Sequence, residues 1–218
     1  MELTEKLQKK LNDGREYRSM LMEARADDDY IVEGYATTFN QPYHLYFDKK
    51  GREVREQVSQ DAFLNADMSD VIMQYDHEGR VFARLSNNTL HLETDEHGLK
   101  VTADLGGTTT GRNLYEEIKG GYTNKMSFGF TVADDEVDQD GDGFLRTIKS
   151  VGKLFDVSAV SLPANDLTEI SARSHCDGAI AEIDEEIRLR EEELRIQAEK
   201  RENLAARLKA LKGEKDGN

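Results

Sequence analysis

The sequence has little of what ties a chain to a disulfide scaffold, to nucleic acid or to a membrane. Cys176 is the one cysteine, so no internal disulfide and no cysteine-based metal site can form, which fits a reducing compartment. Basic residues are outnumbered. Lys and Arg total 29 against 44 Asp and Glu, for a formal net charge of −15. Binding to a phosphate backbone needs a basic surface, so nucleic acid is not an expected partner. No run approaches the roughly 20 apolar residues that span a bilayer. The first residues, MELTEKLQKKLNDGREYRSML, are charged throughout and lack the apolar stretch of a secretion signal. The expectation is a cytosolic chain with no membrane partner. Only 37% of the 218 residues are hydrophobic and 33% are charged, which predicts a modest core with part of the chain outside it.

What is there falls into three zones. Residues 1–29 place Leu3, Leu7 and Leu11 four apart, then Tyr17, Met20 and Leu21, ahead of the acidic run Asp27 to Asp29. That spacing predicts an N-terminal amphipathic helical arm. Residues 30–173 are rich in strand signals. YIVEGYATTF, DVIMQYDH, KMSFGFTVADDEV and FLRTIKSVGKLFDVSAVSLPA read as strands, and NTLHLETDEHGLKVTADL reads as a hairpin turning at DEHG. TTGRNLYEEIKGGY reads as a helix, with Thr110 as N-cap, an apolar face of Leu114, Tyr115 and Ile118, and a stop at Gly120 and Gly121. Pro42 and Pro163 are the only prolines, the latter ending a strand. Residues 174–218 form a charged zone, with Ile183, Ile187, Leu194, Leu204 and Leu208 recurring at helical spacing. A long coiled-coil-like helix is expected, able to pair with a partner helix or with its own copy.

Three features carry candidate chemistry. DQDGDGFLRTIK begins like a calcium loop, with Asp138, Asp140 and Asp142 at alternate positions, but its twelfth residue is Lys149 where calcium needs a bidentate acid. An acidic hairpin tip is the expected reading, and no metal or cofactor is expected. His77 follows an apolar strand in MQYDHEGR, placed where a general base can reach a substrate. Ser127 sits in NKMSFGF between Met126 and Phe128. Large residues alternate there with Ser127 and Gly129, so one strand face is core and the other is small. Small residues on a strand face mark where packed backbone, a ligand or a substrate comes close, and a substrate backbone would find room over Gly129, which lacks a side chain.

Taken in order, EGYATTFN, QVSQDAF, YDH followed by ARL, NTLHLETDEHGLKVTADL, TTGRNLYEEIKGG, MSFGF and DVSAVSLPANDLTEISAR resemble the phage prohead proteases of the HK97 type, over roughly residues 32–173. QVSQDAF departs from the proline-glycine-alanine-phenylalanine turn common there. The resemblance implies an α+β fold similar to the herpesvirus assembly proteases, a small β-barrel with peripheral helices. It also implies a serine endopeptidase that digests the scaffolding segment of the major capsid protein, and itself, inside the assembling prohead, after synthesis in the host cytoplasm. Ser127 matches the nucleophile and His77 the general base. The third member is open. Asp156 stands where the family carries an acid, commonly glutamate. His91 is the strand histidine that a serine–histidine–histidine set would use, and Asp76 adjoins His77. Arg84 in FARL matches a position of oxyanion support. The alternative is a catalytically silent internal scaffold acting through its terminal helices. A calcium-binding module would rest on the Asp138 loop alone.

Overall fold

The computed structural model describes residues 13–24, 29–161 and 165–213. Leu3, Leu7, Leu11 and Pro163 lie outside them. The chain forms two compact units, Met1–Cys176 and Asp177–Asn218.

The first unit is an α+β structure built on a ten-stranded sheet. Its strands are β1 (Arg15–Ala24), β2 (Ile31–Thr38), β3 (Tyr43–Phe47), β4 (Glu53–Val58), β5 (Ile72–Tyr75), β6 (Glu78–Arg84), β7 (Leu90–Thr94), β8 (Gly98–Asp104), β9 (Lys125–Asp140) and β10 (Gly143–Val160). The main path runs β3-β4-β10-β9-β1-β2-β8-β7, and β5 pairs with both β10 and β6. The long strand β10 pairs in parallel with β4 along Phe144–Ile148 and in parallel with β5 along Asp156–Ala159.

Two expectations change here. Residues 15–24, expected in a helical arm, form β1 in the middle of the sheet, paired with β9 from Arg15↔Thr131 to Leu21↔Lys125. Tyr17, Met20 and Leu21 mimic helical spacing, but the partner strands decide the conformation, and local propensity yields to tertiary pairing. The strand path also has two ends, β3 and β7, so no closed barrel is found among the described residues. One isolated parallel bridge, Phe39↔Val58, carries the chain after β2 to the end of β4. Asn40 then takes a left-handed φ of 52°, and Pro42 has no N–H with which to extend a ladder.

The core follows the alternation of β9. Met126, Phe128 and Phe130 are fully buried, and Phe128 stacks on Phe130 at 4.6 Å. Leu154, Val157 and Ala159 face them from β10 in register. Helix α1 (Thr109–Lys119) adds Leu114, Tyr115 and Ile118 to the same cluster. Its N-cap is Thr108, not Thr110: the Thr108 hydroxyl accepts from the Gly111 amide at 2.9 Å. Threonine caps best one residue ahead of the first helical turn, and that place falls two residues earlier than expected.

The core face of β1 also carries charge. Glu16 and Arg18 join Glu56 of β4 and Arg146 of β10 in a buried network, with Arg18 bonded to Glu56 at 2.5 Å and Arg146 to Glu16 at 2.7 Å. Arg146 also reaches Asp135 at 2.6 Å. The segment of α2 (Asn165–Gly213) that belongs to this unit buries Ala172 and Cys176, and His175 lies 3.1 Å from Asp135. Burial pushes the Cys176 thiol up to about 12.

The second unit is the rest of α2. Arg188 pairs with Glu185 and Glu192 along the helix, while Leu189, Leu194, Ile196 and Leu204 are exposed. Among the described residues no helix is long and apolar enough to cross a membrane.

Candidate active site

The face of β9 opposite the core is small and polar, and it is equally buried. Ser127 stands opposite Ser158 of β10 and Ser19 of β1, and Gly129 stands opposite Asp156 and Tyr17. Directly opposed residues share a sheet face, so Ser127, Asp156, Ser158 and Tyr17 lie on one surface.

A β-bulge puts Asp156 there. The β9/β10 register shifts between Leu154 and Asp156, with Leu154 opposite Phe130 and Asp156 opposite Gly129. Phe155 is the inserted residue. Were Phe155 paired in regular alternation after Leu154, Asp156 would turn toward the core, so the bulge re-aims one side chain. The extra ring is covered by the Arg15 guanidinium at 3.7 Å.

His77 arrives by a different device. β5 and β6 are joined with Tyr75 opposite Glu78, which leaves Asp76 and His77 as the two central residues of the turn. Both take positive φ, 48° and 60°, as this kind of two-residue hairpin requires. Aspartate and histidine tolerate that region better than bulky residues do. The Asp76 carboxylate pins the turn by accepting from the Ser161 amide at 2.8 Å and the Ser161 hydroxyl at 2.9 Å. His77 is buried, and its Nδ1 lies 2.5 Å from Asp156 Oδ1. Its ring meets the Tyr17 ring edge-on, centroids 4.3 Å apart.

Ser158 donates to the same Asp156 Oδ1 at 2.7 Å. The other carboxylate oxygen backs onto Gly129, where an added Cβ would lie 2.7 Å from Asp156 Oδ2 and 2.7 Å from Tyr17 Cε1. The space over Gly129 is therefore filled by Asp156 and Tyr17, not left for substrate. Burial, with the charge of Asp156 behind it, pushes the Tyr17 phenol up to about 12. Ser127 Oγ is buried with no hydrogen-bond partner among the described residues.

Of the residues singled out in the sequence, His77 and Asp156 are bonded, and Ser127 lies on the same sheet face as Asp156, on the neighbouring strand. His91 is exposed on β7, one end of the strand path. Asp76 is taken up by Ser161. Arg84, on β6, donates to Asp70 at 3.2 Å in a half-exposed pair. Asp138 and Asp140 end β9 and Asp142 lies in the β9–β10 turn. No cluster of three or more potential metal ligands forms among the described residues. Sequence reasoning missed Tyr17 and Ser158. Ser158 was within reach, since DVSAV repeats the large–small alternation of MSFGF on the neighbouring strand.

A buried histidine bonded to an aspartate, with a serine on the adjoining strand, is the residue set of a serine peptidase. The family model described as caudovirus prohead serine protease matches residues 17–179. The chain belongs to that family. Neither the curated proteins nor the solved structures searched give a match.

Proposed function

We propose that this protein is the serine endopeptidase of a phage capsid assembly, cleaving the scaffolding segment of the major capsid protein inside the prohead, and itself. The observation that supports the reading is the buried His77–Asp156 bond at 2.5 Å, with Ser127 on the same sheet face as Asp156. Ser127 Oγ attacks the scissile carbonyl while His77 Nε2 takes its proton. Asp156, bonded at Nδ1, holds the ring in the required tautomer and stabilises the imidazolium. The imidazolium then protonates the leaving amine, and water, deprotonated by His77, hydrolyses the acyl-serine. Arg84 would support the oxyanion only by leaving Asp70, and an exposed pair of that kind is worth about 0–1 kcal/mol.

Ser127 has no exposed surface and His77 is 4% exposed. The reading therefore includes a closed resting site that opens before a peptide enters. Such a site suits an enzyme that must stay silent until it is enclosed.

One observation favours the second reading, a catalytically silent scaffold acting through its helices: Ser127 Oγ makes no bond to the imidazole in this conformation. Coexpression with the capsid protein separates the two. Mass spectrometry should show a shortened capsid protein with the intact chain and full-length protein with Ser127→Ala or His77→Ala. Asp156→Asn should cost far more than His91→Ala. Full-length capsid protein with the intact chain would establish the scaffold reading.

A further inference from the structure

We propose that Ser158 is a positioning residue for catalysis, fixing the rotation of the Asp156 carboxylate so that the oxygen it bonds is held against the imidazole. The inference rests on the serine-peptidase reading of the same site.

A carboxylate beside an imidazole has two equivalent oxygens and can rotate about its Cβ–Cγ bond. Here it is held from both sides. Oδ1 takes Ser158 Oγ at 2.7 Å and His77 Nδ1 at 2.5 Å. Oδ2 sits against the Gly129 backbone, in a space too small for a methyl group. Ser158 is fully buried, so no water competes for its hydroxyl, and buried hydroxyls left unbonded are costly. Spacing supports the assignment as well. Ser158 is two residues from Asp156 on one strand, hence on one face, and it is the cross-strand partner of Ser127. One residue thus borders both the acid and the nucleophile.

The electrostatic consequence has a definite sign. A hydroxyl donating to a carboxylate disperses its charge and weakens its hold on an imidazolium. Without that donor, Asp156 should stabilise protonated His77 more strongly while orienting it less well. The titratable and charged groups around the pair are unaltered: Tyr17 against His77, Arg15 and Glu78 acting on Tyr17, and Asp76 next to His77 in the turn. Of these, Asp76 is already committed to Ser161.

The test compares Ser158→Ala with the unaltered full chain on a soluble peptide covering the capsid scaffold junction. Losing a hydrogen bond to a charged group should lower kcat about 10- to 100-fold. KM should stay within about twofold, and the acid limb of the pH–rate profile should move to higher pH. Ser158→Thr, which keeps the hydroxyl, should recover most of kcat. A second measurement needs no activity. In chains carrying Ser127→Ala, NMR titration of the His77 ring should show its midpoint rising when Ser158→Ala is added. An unchanged limb and an unchanged midpoint would overturn the positioning role, even if kcat fell through loosened packing. If Ser127→Ala leaves cleavage intact, Ser127 is not the nucleophile and the serine-peptidase reading of this site fails, and the titration still decides whether Ser158 couples to His77 through Asp156.

Discussion

Tyr17 lies edge-on to His77, the two ring planes inclined at 60°. The contact joins the first strand of the sheet to the turn between β5 and β6 and closes one side of the imidazole. The phenol hydroxyl is buried and makes no well-aligned hydrogen bond among the described residues, although Arg15 beside it favours its ionised form. The ring is therefore what shields the imidazole, and Arg15 offsets only part of the cost of burying the hydroxyl.

Tyr17→Phe should keep peptidase activity and raise stability by about 1 kcal/mol, since it removes a buried hydroxyl that makes no well-aligned hydrogen bond. The pH dependence gives the second check. Tyr17 ionises at about 12 in the folded chain against 10.0 ordinarily. Between those values the unfolded chain has lost the proton that the folded chain keeps, so stability falls as pH rises through that window. Tyr43 is held above its ordinary value too, first by burial and then by the charge of Glu56, so Tyr17→Phe should remove part of the alkaline loss. Urea unfolding at pH 7 and pH 11 measures both effects. Equal alkaline slopes for the two chains would refute this account.

Gly129→Ala should nearly abolish activity. The new methyl meets Asp156 Oδ2 and a Tyr17 ring carbon, each at 2.7 Å, and neither can yield without moving a group bonded or packed to His77. Overpacking of this kind costs roughly 1–3 kcal/mol in stability, too little to unfold an ordinary domain. A folded but inactive variant is the expected result, read by circular dichroism beside a peptide-cleavage assay. Wild-type cleavage would show that Asp156 is not fixed as described.

The strand faces and the turn that carry these residues were legible in the sequence, and the reason is local. MSFGF and DVSAV display their faces through simple alternation, and YDHEG places histidine in a tight turn. What stayed hidden depended on pairing. β1 carries Glu16 and Arg18 on one face and Tyr17 and Ser19 on the other, with polar groups buried on both. Hydrophobic alternation therefore gives no strand signal, and the leucine and methionine that follow suggest a helix. The bulge at Phe155 is equally silent in sequence, because it follows from a mismatch between two strands and not from either alone. Sheet closure depends on where distant strands pair, and here the Phe39↔Val58 bridge is a single residue pair.

The buried network should set the acid stability of the fold. Burial works against ionisation of Glu16, but bonds to Arg146 and the charges of Arg18 and Arg146 hold its carboxyl below the usual range. Burial likewise opposes the charge on Arg146, and its bonds to Glu16 and the charge of Glu56 hold it above its ordinary value. A depressed carboxylate contributes stability above its unfolded value of 4.5, and this is lost as pH falls through the folded value. Arg146→Ala leaves Glu16, Glu56 and Asp135 with one buried guanidinium, Arg18, among them. Breaking one partner from such a set costs roughly 3–5 kcal/mol. Urea midpoints at pH 7 should drop accordingly, and the loss of stability below pH 4.5 should shrink with Glu16→Gln. A change under about 1 kcal/mol for Arg146→Ala would show that the cluster contributes little net stability.

The last prediction separates the two units by where the chain is cut. The sequence suggested a boundary after Arg173, but the compact unit runs to Cys176. The three residues between matter. Cys176 is buried, and His175 reaches Asp135, which also holds Arg146. A chain ending at Cys176 keeps these contacts and all of the proposed catalytic groups, so it should cleave a soluble peptide within about twofold of the full chain. A chain ending at Arg173 uncovers the charged network and should be less stable, with activity lost on mild warming. Beyond residue 177 the helix exposes Leu194 and Leu204 by 58% and 60%. Each such side chain offers roughly 1.5–3 kcal/mol if a partner covers it, and flanking charges such as Arg188, Glu185 and Glu192 would govern partner choice more than affinity. The chain ending at Cys176 should therefore remain an active peptidase that fails to enter assembling shells, measured by its copy number in purified proheads. Normal packaging of that chain would place the incorporation signal elsewhere, and loss of its soluble activity would mean that the helix completes the catalytic unit.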